Sequence, residues 1–293
     1  MKAIRTEKLT KYYGRSRGRV GLDLEVEEGE LFGFIGPNGA GKSTTVRTLL
    51  GLIFPTSGKA SVLGHDIIKE RESILSETGY LPSEAMFYRG MKVRDIIRLS
   101  ADLHGKNCKK EADALCERLG LDPSRKADEL SYGNRKKVAI VCALQTDPRL
   151  LILDEPTGGL DPLVQHEFFG IIKERNAKGA TVLLSSHVLH EVQRNCTRAA
   201  VIREGRIIAC GSVEALSKTN AKRVNLRGRI DLDGLDGVKD LKITDQNVGF
   251  LYGGDMNILL KRLAEGAVED LTVSEPDLDE IFMHYYEKEE PES

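Results

Sequence analysis

One short segment constrains this chain more than any other: Gly36-Pro37-Asn38-Gly39-Ala40-Gly41-Lys42-Ser43, set directly behind the apolar run Leu31-Phe32-Gly33-Phe34-Ile35. A run of that length without a polar interruption reads as a strand buried on both faces. Beyond the glycines, Val46, Leu49 and Leu50 fall at i, i+3 and i+4, one face of a helix. The segment satisfies G-x-x-x-x-G-K-[ST], and strand, loop and helix are the context that pattern needs to cradle phosphates. Glycines let the backbone fold tightly and aim successive N–H groups at phosphate oxygens. The helix adds its positive N-terminus. Lys42 is placed to reach the β- and γ-phosphates and Ser43 to offer its hydroxyl to Mg²⁺, with Thr44 next in the nucleotide-binding set.

A second feature agrees. Leu150-Leu151-Ile152-Leu153 reads as another buried strand and ends in Asp154-Glu155, 112 residues after Lys42. A carboxylate at the carboxyl end of a parallel strand sits where open α/β sheets bind ligands. Asp154 is placed to hold the Mg²⁺ shell through water, because Mg²⁺ dehydrates reluctantly. Glu155 is placed to orient and deprotonate an attacking water.

Further elements follow from pattern. Leu22, Leu24 and Val26 alternate with acids, a half-buried strand, and Ala180–Leu184 is a buried strand reached through a helix around Glu167–Arg175. Strands alternating with helices predict a parallel α/β sheet. Met91–Leu119 reads as a helical insertion, and Val201-Ile202 and Ile207-Ile208 flank the hairpin signal Glu204-Gly205. Near the end, Val238–Leu241 and Val248–Leu251 read as paired strands around Asp245-Gln246-Asn247. Ile258, Leu259 and Leu263 suit a short helix, and Leu278–Glu290 a second one.

Charge marks a boundary. Residues 212–293 carry 10 Lys+Arg and 18 Asp+Glu, net −8, which leaves 33 against 27, net +6, for residues 1–211. We therefore expect a main domain over 1–211, with its helical insertion at about 85–135, and a small acidic α+β domain over 212–293. The overall balance of −2 gives no pull toward nucleic acid. No apolar run approaches the ~20 residues of a membrane span, and the N-terminus has no signal-peptide pattern. Five cysteines without CxxC spacing read as reduced, mostly buried thiols rather than a zinc site.

Five more segments resemble one family, the ATP-binding-cassette (ABC) ATPases. Leu130-Ser131-Tyr132-Gly133-Asn134 resembles the family signature and lies 23 residues (Ser131 to Asp154) before the acidic pair. Gly159-Leu160-Asp161 looks like the D-loop, Ser185-Ser186-His187 like the switch-histidine segment, and Gly79-Tyr80-Leu81-Pro82 like the lead-in to the Q-loop. Tyr13, before Gly14, is similar to the aromatic that stacks on adenine, with Tyr12 the alternative. The resemblance covers about residues 1–211. It implies a phosphate-loop NTPase fold, a mixed-sheet core plus a helical subdomain, that binds ATP and Mg²⁺. It also implies that Ser131, Gly133 and Asp161 serve a nucleotide held by a second copy or a related ATPase, head to tail. His187 would then sense the γ-phosphate, and Glu155, His187 and Lys42 would form the catalytic set.

Gly79–Glu84 and the ending Glu275-Pro276-Asp277-Leu278-Asp279-Glu280-Ile281-Phe282 look like bacterial drug, antibiotic and sodium exporters. That subgroup implies a cytosolic subunit held at the inner face of the membrane by a separate permease, which would press on Met91–Leu119 and the segment before it. A soluble ABC protein acting on nucleic acid or ribosomes is the alternative, but the chain carries one cassette, no heptads and no basic stripe. A phosphate-loop GTPase or kinase would have no use for the signature or the switch histidine.

The chain departs from the family pattern in three places. Ser83 stands where the Q-loop has glutamine, Tyr132 and Asn134 replace signature residues, and Gly158 replaces a small polar one. None removes a catalytic group. Serine is too short to reach a metal as glutamine would, so water fills that contact. Ser83→Gln is therefore expected to leave the Mg²⁺ titration of ATP hydrolysis nearly unchanged, and a large shift of its midpoint would contradict this.

Overall fold

Three apolar runs build the centre of the molecule. In the computed structural model, which describes residues 1–13, 16–217, 221–245 and 247–274, all three are strands with every residue buried: β3, β7 and β8 below. In chain order the first elements are β1 (Lys2–Tyr13), β2 (Ser16–Glu27), β3 (Leu31–Ile35), α1 (Lys42–Leu49), β4 (Ser57–Val62), β5 (His65–Asp66), α2 (Arg71–Glu77) and β6 (Thr78–Leu81). Then come α3 (Val93–Leu103), α4 (Lys109–Arg118), α5 (Tyr132–Leu144), β7 (Leu150–Asp154), α6 (Pro162–Ala177), β8 (Thr181–Ser186), α7 (Leu189–Asn195), β9 (Arg198–Arg203) and β10 (Arg206–Ser212). The remainder is α8 (Val213–Ser217), β11 (Lys222–Arg229), β12 (Val238–Thr244), β13 (Asn247–Tyr252), α9 (Met256–Glu265) and β14 (Ala267–Ser274).

The chain divides into two compact units, Met1–Val213 and Glu214–Ser293. In the first, a six-stranded sheet runs β10-β9-β3-β8-β7-β6. It is parallel from β9 to β6, and β10 turns back antiparallel at Glu204-Gly205. An antiparallel sheet, β2-β1-β4-β5, forms a second layer. Ile4, Leu22, Leu24 and Val62 of that layer share one buried cluster with Phe32 and Phe34 of β3 and with Val46 and Leu49 of α1. The helix behind the phosphate loop is thus held on its apolar face by both sheets.

The expected helical stretch Met91–Leu119 is two helices, α3 and α4, separated by His104–Cys108. Val93, Ile96, Ile97 and Ala101 face inward from α3, and Ala112, Leu115 and Cys116 from α4. Both pack on α5, which extends this helical layer to Leu144. Arg118 of α4 grips Glu167 at 2.6 Å and Glu174 at 2.7 and 2.8 Å, both on α6. Arg175 of α6 pairs with Glu111 of α4.

The second unit is an antiparallel sheet, β12-β13-β11-β14, with Leu259 and Leu263 of α9 packed on Val224, Leu226, Val248 and Phe250. Ile258 of α9 is instead exposed. The helix expected over Leu278–Glu290 and the exporter-like ending Glu275–Phe282 lie outside the described residues, as do Gly14 and Gln246.

Gly79 fixes how closely β6 approaches α5. A Cβ built there would lie 2.2 Å from the carbonyl oxygen of Ala143 and 2.8 Å from Pro148. The obstacle is backbone, so relief requires the strand to shift. Gly79→Ala is expected to destabilise the chain by about 1–3 kcal/mol, measured as a lowered midpoint of denaturant unfolding.

Candidate functional site

The loop behind β3 takes its shape from its glycines. At Gly36 a Cβ would lie 2.4 Å from the carbonyl oxygen of Ile202 on β9, and Gly41 adopts φ 102°, a left-handed conformation that a side chain would strain. Gly41 then caps α1, whose first turn carries no acidic residue, so its positive end is left for an anion. Lys42 is buried, and its ammonium donates to the carbonyls of Gly36 at 2.7 Å and Pro37 at 3.2 Å. Ser43 and Thr44 come next in the first turn, half-buried.

Glu155 reaches this loop from β7. Its Oε1 lies 3.1 Å from Lys42 Nζ, and its Oε2 is 2.6 Å from His187 Nδ1, the ring donating because a carboxylate only accepts. The backbone of Glu155 sits at φ 49°, a rare conformation for a long side chain, and its N–H is held by the carbonyl of Ser185 at 2.9 Å. Asp154, fully buried, accepts from Ser185 Oγ at 3.0 Å through Oδ1. Its Oδ2 is buried with no hydrogen-bond partner among the described residues. A buried carboxylate oxygen without a hydrogen bond, with hydroxyl oxygens such as that of Ser43 in the same set, fits a hard cation.

Glu155 and His187 open onto a cleft of about 680 Å³, lined also by Asn38, Ser83, Tyr132 and Gly159. The structure therefore brings Lys42, Glu155 and His187 together within one chain. Ser131 and Asp161 are placed differently. Both are exposed and spend their side chains as N-caps, Ser131 Oγ accepting from Asn134 N–H on α5 and Asp161 from Val164 N–H on α6. Gly133 lies against Gly159, where a Cβ would be 2.5 Å from the carbonyl oxygen. Tyr13 is exposed at the end of β1 with the Lys11 ammonium 5.4 Å from its ring centre, and it does not line the cleft.

Two residues of the site carry no motif. Glu191 on α7 accepts from Thr157 Oγ1 at 2.5 Å and Ser186 Oγ at 2.9 Å, bracing the residues that flank Glu155 and His187; burial pushes its carboxyl up. Lys136 on α5 is buried and donates to the carbonyls of Pro82, Ser83 and Glu155; burial pushes its ammonium down to about 8, against the pull of Asp154 and Glu155. Helical phase is the one signal that could have found Lys136, since Ile140, Ala143 and Leu144, four, seven and eight residues on, are buried on the same face.

A parallel sheet, a glycine loop at a helix start, and a strand-end acidic pair in contact with the loop lysine define a phosphate-loop nucleotide triphosphatase. The family profile described as ABC transporter matches residues 20–158. The chain is 32% identical to the bacitracin transport ATP-binding protein BcrA of Bacillus licheniformis, over 96% of both chains. It is also 32% identical to the daunorubicin resistance ATP-binding protein DrrA3 of Streptomyces coeruleorubidus, over 96% of this chain and 95% of that one. A solved ATP-binding subunit of an ABC transporter superposes with TM-score 0.70 at 31% identity, covering 73% of this chain and 91% of that one. The chain belongs to the ABC transporter family, as an ATP-binding subunit and an ATPase.

Asp154→Asn keeps the bond from Ser185 possible but removes the charge of the unpartnered oxygen. ATP hydrolysis is expected to fall by about 100-fold or more, with the Mg²⁺ midpoint moved to higher concentration in a metal titration.

Proposed function

We propose that this chain is the ATP-driven engine of an exporter, working as a pair of copies (or with a related ATPase) that close head to tail on two ATP molecules. The observation that carries this reading is the division of the site: Lys42, Glu155 and His187 meet inside one chain, whereas Ser131 and Asp161 are exposed at helix starts. A serine and free backbone N–H groups at the start of α5 suit a γ-phosphate presented by another copy. Lys42 and the N-terminus of α1 hold the phosphates. Mg²⁺, when bound by Asp154 and Ser43, would neutralise charge on the β- and γ-oxygens. Glu155 orients the attacking water and accepts its proton, and His187, bonded to that carboxylate, reports on the γ-phosphate. Tyr13 remains our choice for stacking on adenine.

Among the described residues no helix is long and apolar enough to cross a membrane. We infer that a separate permease supplies the membrane path and docks on the helical layer, where Met86, Tyr88, Leu99 and Leu103 are exposed apolar side chains. Leu99 and Leu103 lie four residues apart on α3, both exposed. The relatives' names, bacitracin transport and daunorubicin resistance, support export as the direction. We read the first unit as the nucleotide-binding domain and the acidic second unit as an accessory domain.

Glu155→Gln tests the reading. It is expected to bind ATP, to lose at least about 100-fold in hydrolysis, and to elute as a dimer with ATP and a monomer without it. A variant that binds ATP and stays monomeric would sink the head-to-tail arrangement.

A further inference from the structure

Lys136 is 1% exposed, on the second turn of α5. Its ammonium has three protons, and three carbonyl oxygens accept them: Pro82 at 3.0 Å, Ser83 at 2.9 Å and Glu155 at 2.9 Å. Two of these acceptors lie just past β6 and the third just past β7. Burying an ammonium is costly unless every proton is satisfied, and here all three are, each by the backbone of a segment that borders the cleft. The third acceptor belongs to Glu155, whose left-handed backbone is fixed on its N–H side by Ser185. Lys136 fixes the carbonyl side, so the two bonds together set the direction in which the glutamate side chain leaves the backbone.

The Ser83 carbonyl is held a second time from the same helix. Tyr132 Oη donates to it at 3.3 Å. Tyr132 and Lys136 are four residues apart and share one face of α5. The same helix starts at Ser131, which the head-to-tail reading assigns to the partner's nucleotide.

We propose that Lys136 is a positioning residue that holds Glu155 in its working orientation and, through α5, couples the nucleotide met by Ser131 in one site to the carboxylate of the other. The first half stands on this chain's geometry; the coupling rests on the head-to-tail reading above.

The test uses the full chain with Lys136→Met, which keeps length and apolar volume but no donor, and Lys136→Gln, which keeps two N–H donors. Steady-state hydrolysis is measured against ATP concentration, with ATP affinity by calorimetry. Lys136→Met is expected to lower kcat by about 100-fold, with KM and ATP affinity within about threefold, and Lys136→Gln to recover part of kcat. A folded Lys136→Met with kcat near that of the parent would overturn the role, as would a loss confined to KM. Should Lys136→Met not fold, Lys136→Gln decides alone: reduced kcat at unchanged KM supports positioning, and parental kcat rejects it.

Coupling is read by adding Ser131→Ala. If both residues act on one route, the double variant is no slower than the worse single, whereas multiplicative losses would refute the coupling. ATP-dependent dimerisation of Glu155→Gln, with Lys136 intact, separates the two ideas. A monomer there refutes the head-to-tail reading and leaves the positioning of Glu155 to the kcat measurement.

Discussion

The contact between Lys42 and Glu155 depends on the order in which three strands lie side by side. In the sheet β3 neighbours β8 and β8 neighbours β7, all parallel, so their carboxyl ends fall in a row. The phosphate loop with Lys42 leaves the end of β3, His187 the end of β8, and Glu155 the end of β7. Residues far apart in the chain therefore reach one carboxylate from its two sides, at 3.1 Å and 2.6 Å. Ligand sites gather at this edge of open α/β sheets because the loops there are free to vary while the strands stay fixed. Gly36 adds a packing condition, since the loop crosses so near Ile202 that a Cβ would strike backbone.

Legibility in the sequence depends on how local each signal is. The runs that form β3, β7 and β8 are short, apolar and uninterrupted, because strands buried on both faces need nothing else. The Glu204-Gly205 hairpin is a two-residue signal and needs no partner to be read. By contrast β1 gives no such pattern. Its ladder with β2 shifts register between Thr6 and Leu9 and again after Leu9, and Lys8 takes φ 45°, so its inward residues do not alternate. Lys136 is hidden differently. It sits inside Arg135-Lys136-Lys137, a basic cluster that reads as a solvated face, and only the helix phase sends the middle one inward. Glu191 depends on two hydroxyl partners, one shortly past β7 and the other at the end of β8, which no spacing announces.

The departures from the family pattern become intelligible as backbone contacts. Ser83 is held by its carbonyl, which accepts from both Lys136 and Tyr132, so its side chain is not what ties this segment to the site. Tyr132 in turn fits because Gly159 is bare: a Cβ there would meet the tyrosine ring at 2.1 Å. The large Tyr132 and the bare Gly159, first residue of the D-loop-like segment, are two halves of one packing arrangement, which neither position reveals alone.

Two of the contacts that fasten the helical layer to the rest of the first unit differ in how they respond to movement. Arg118 with Glu167 and Glu174 is a partly exposed cluster, and such pairs exchange for water at little cost. Lys136 is itself buried with all three ammonium protons bonded to carbonyls, so losing those bonds is costlier than losing the exposed pairs. Ser131 and Lys136 are five residues apart, about 7.5 Å along one stiff helix. A displacement of the exposed start of α5 must therefore either strain the bonds of Lys136 or carry Ser83 and Glu155 with it. On the proposed head-to-tail reading, the exposed ion pairs would permit that displacement and the buried ammonium would set where it is felt.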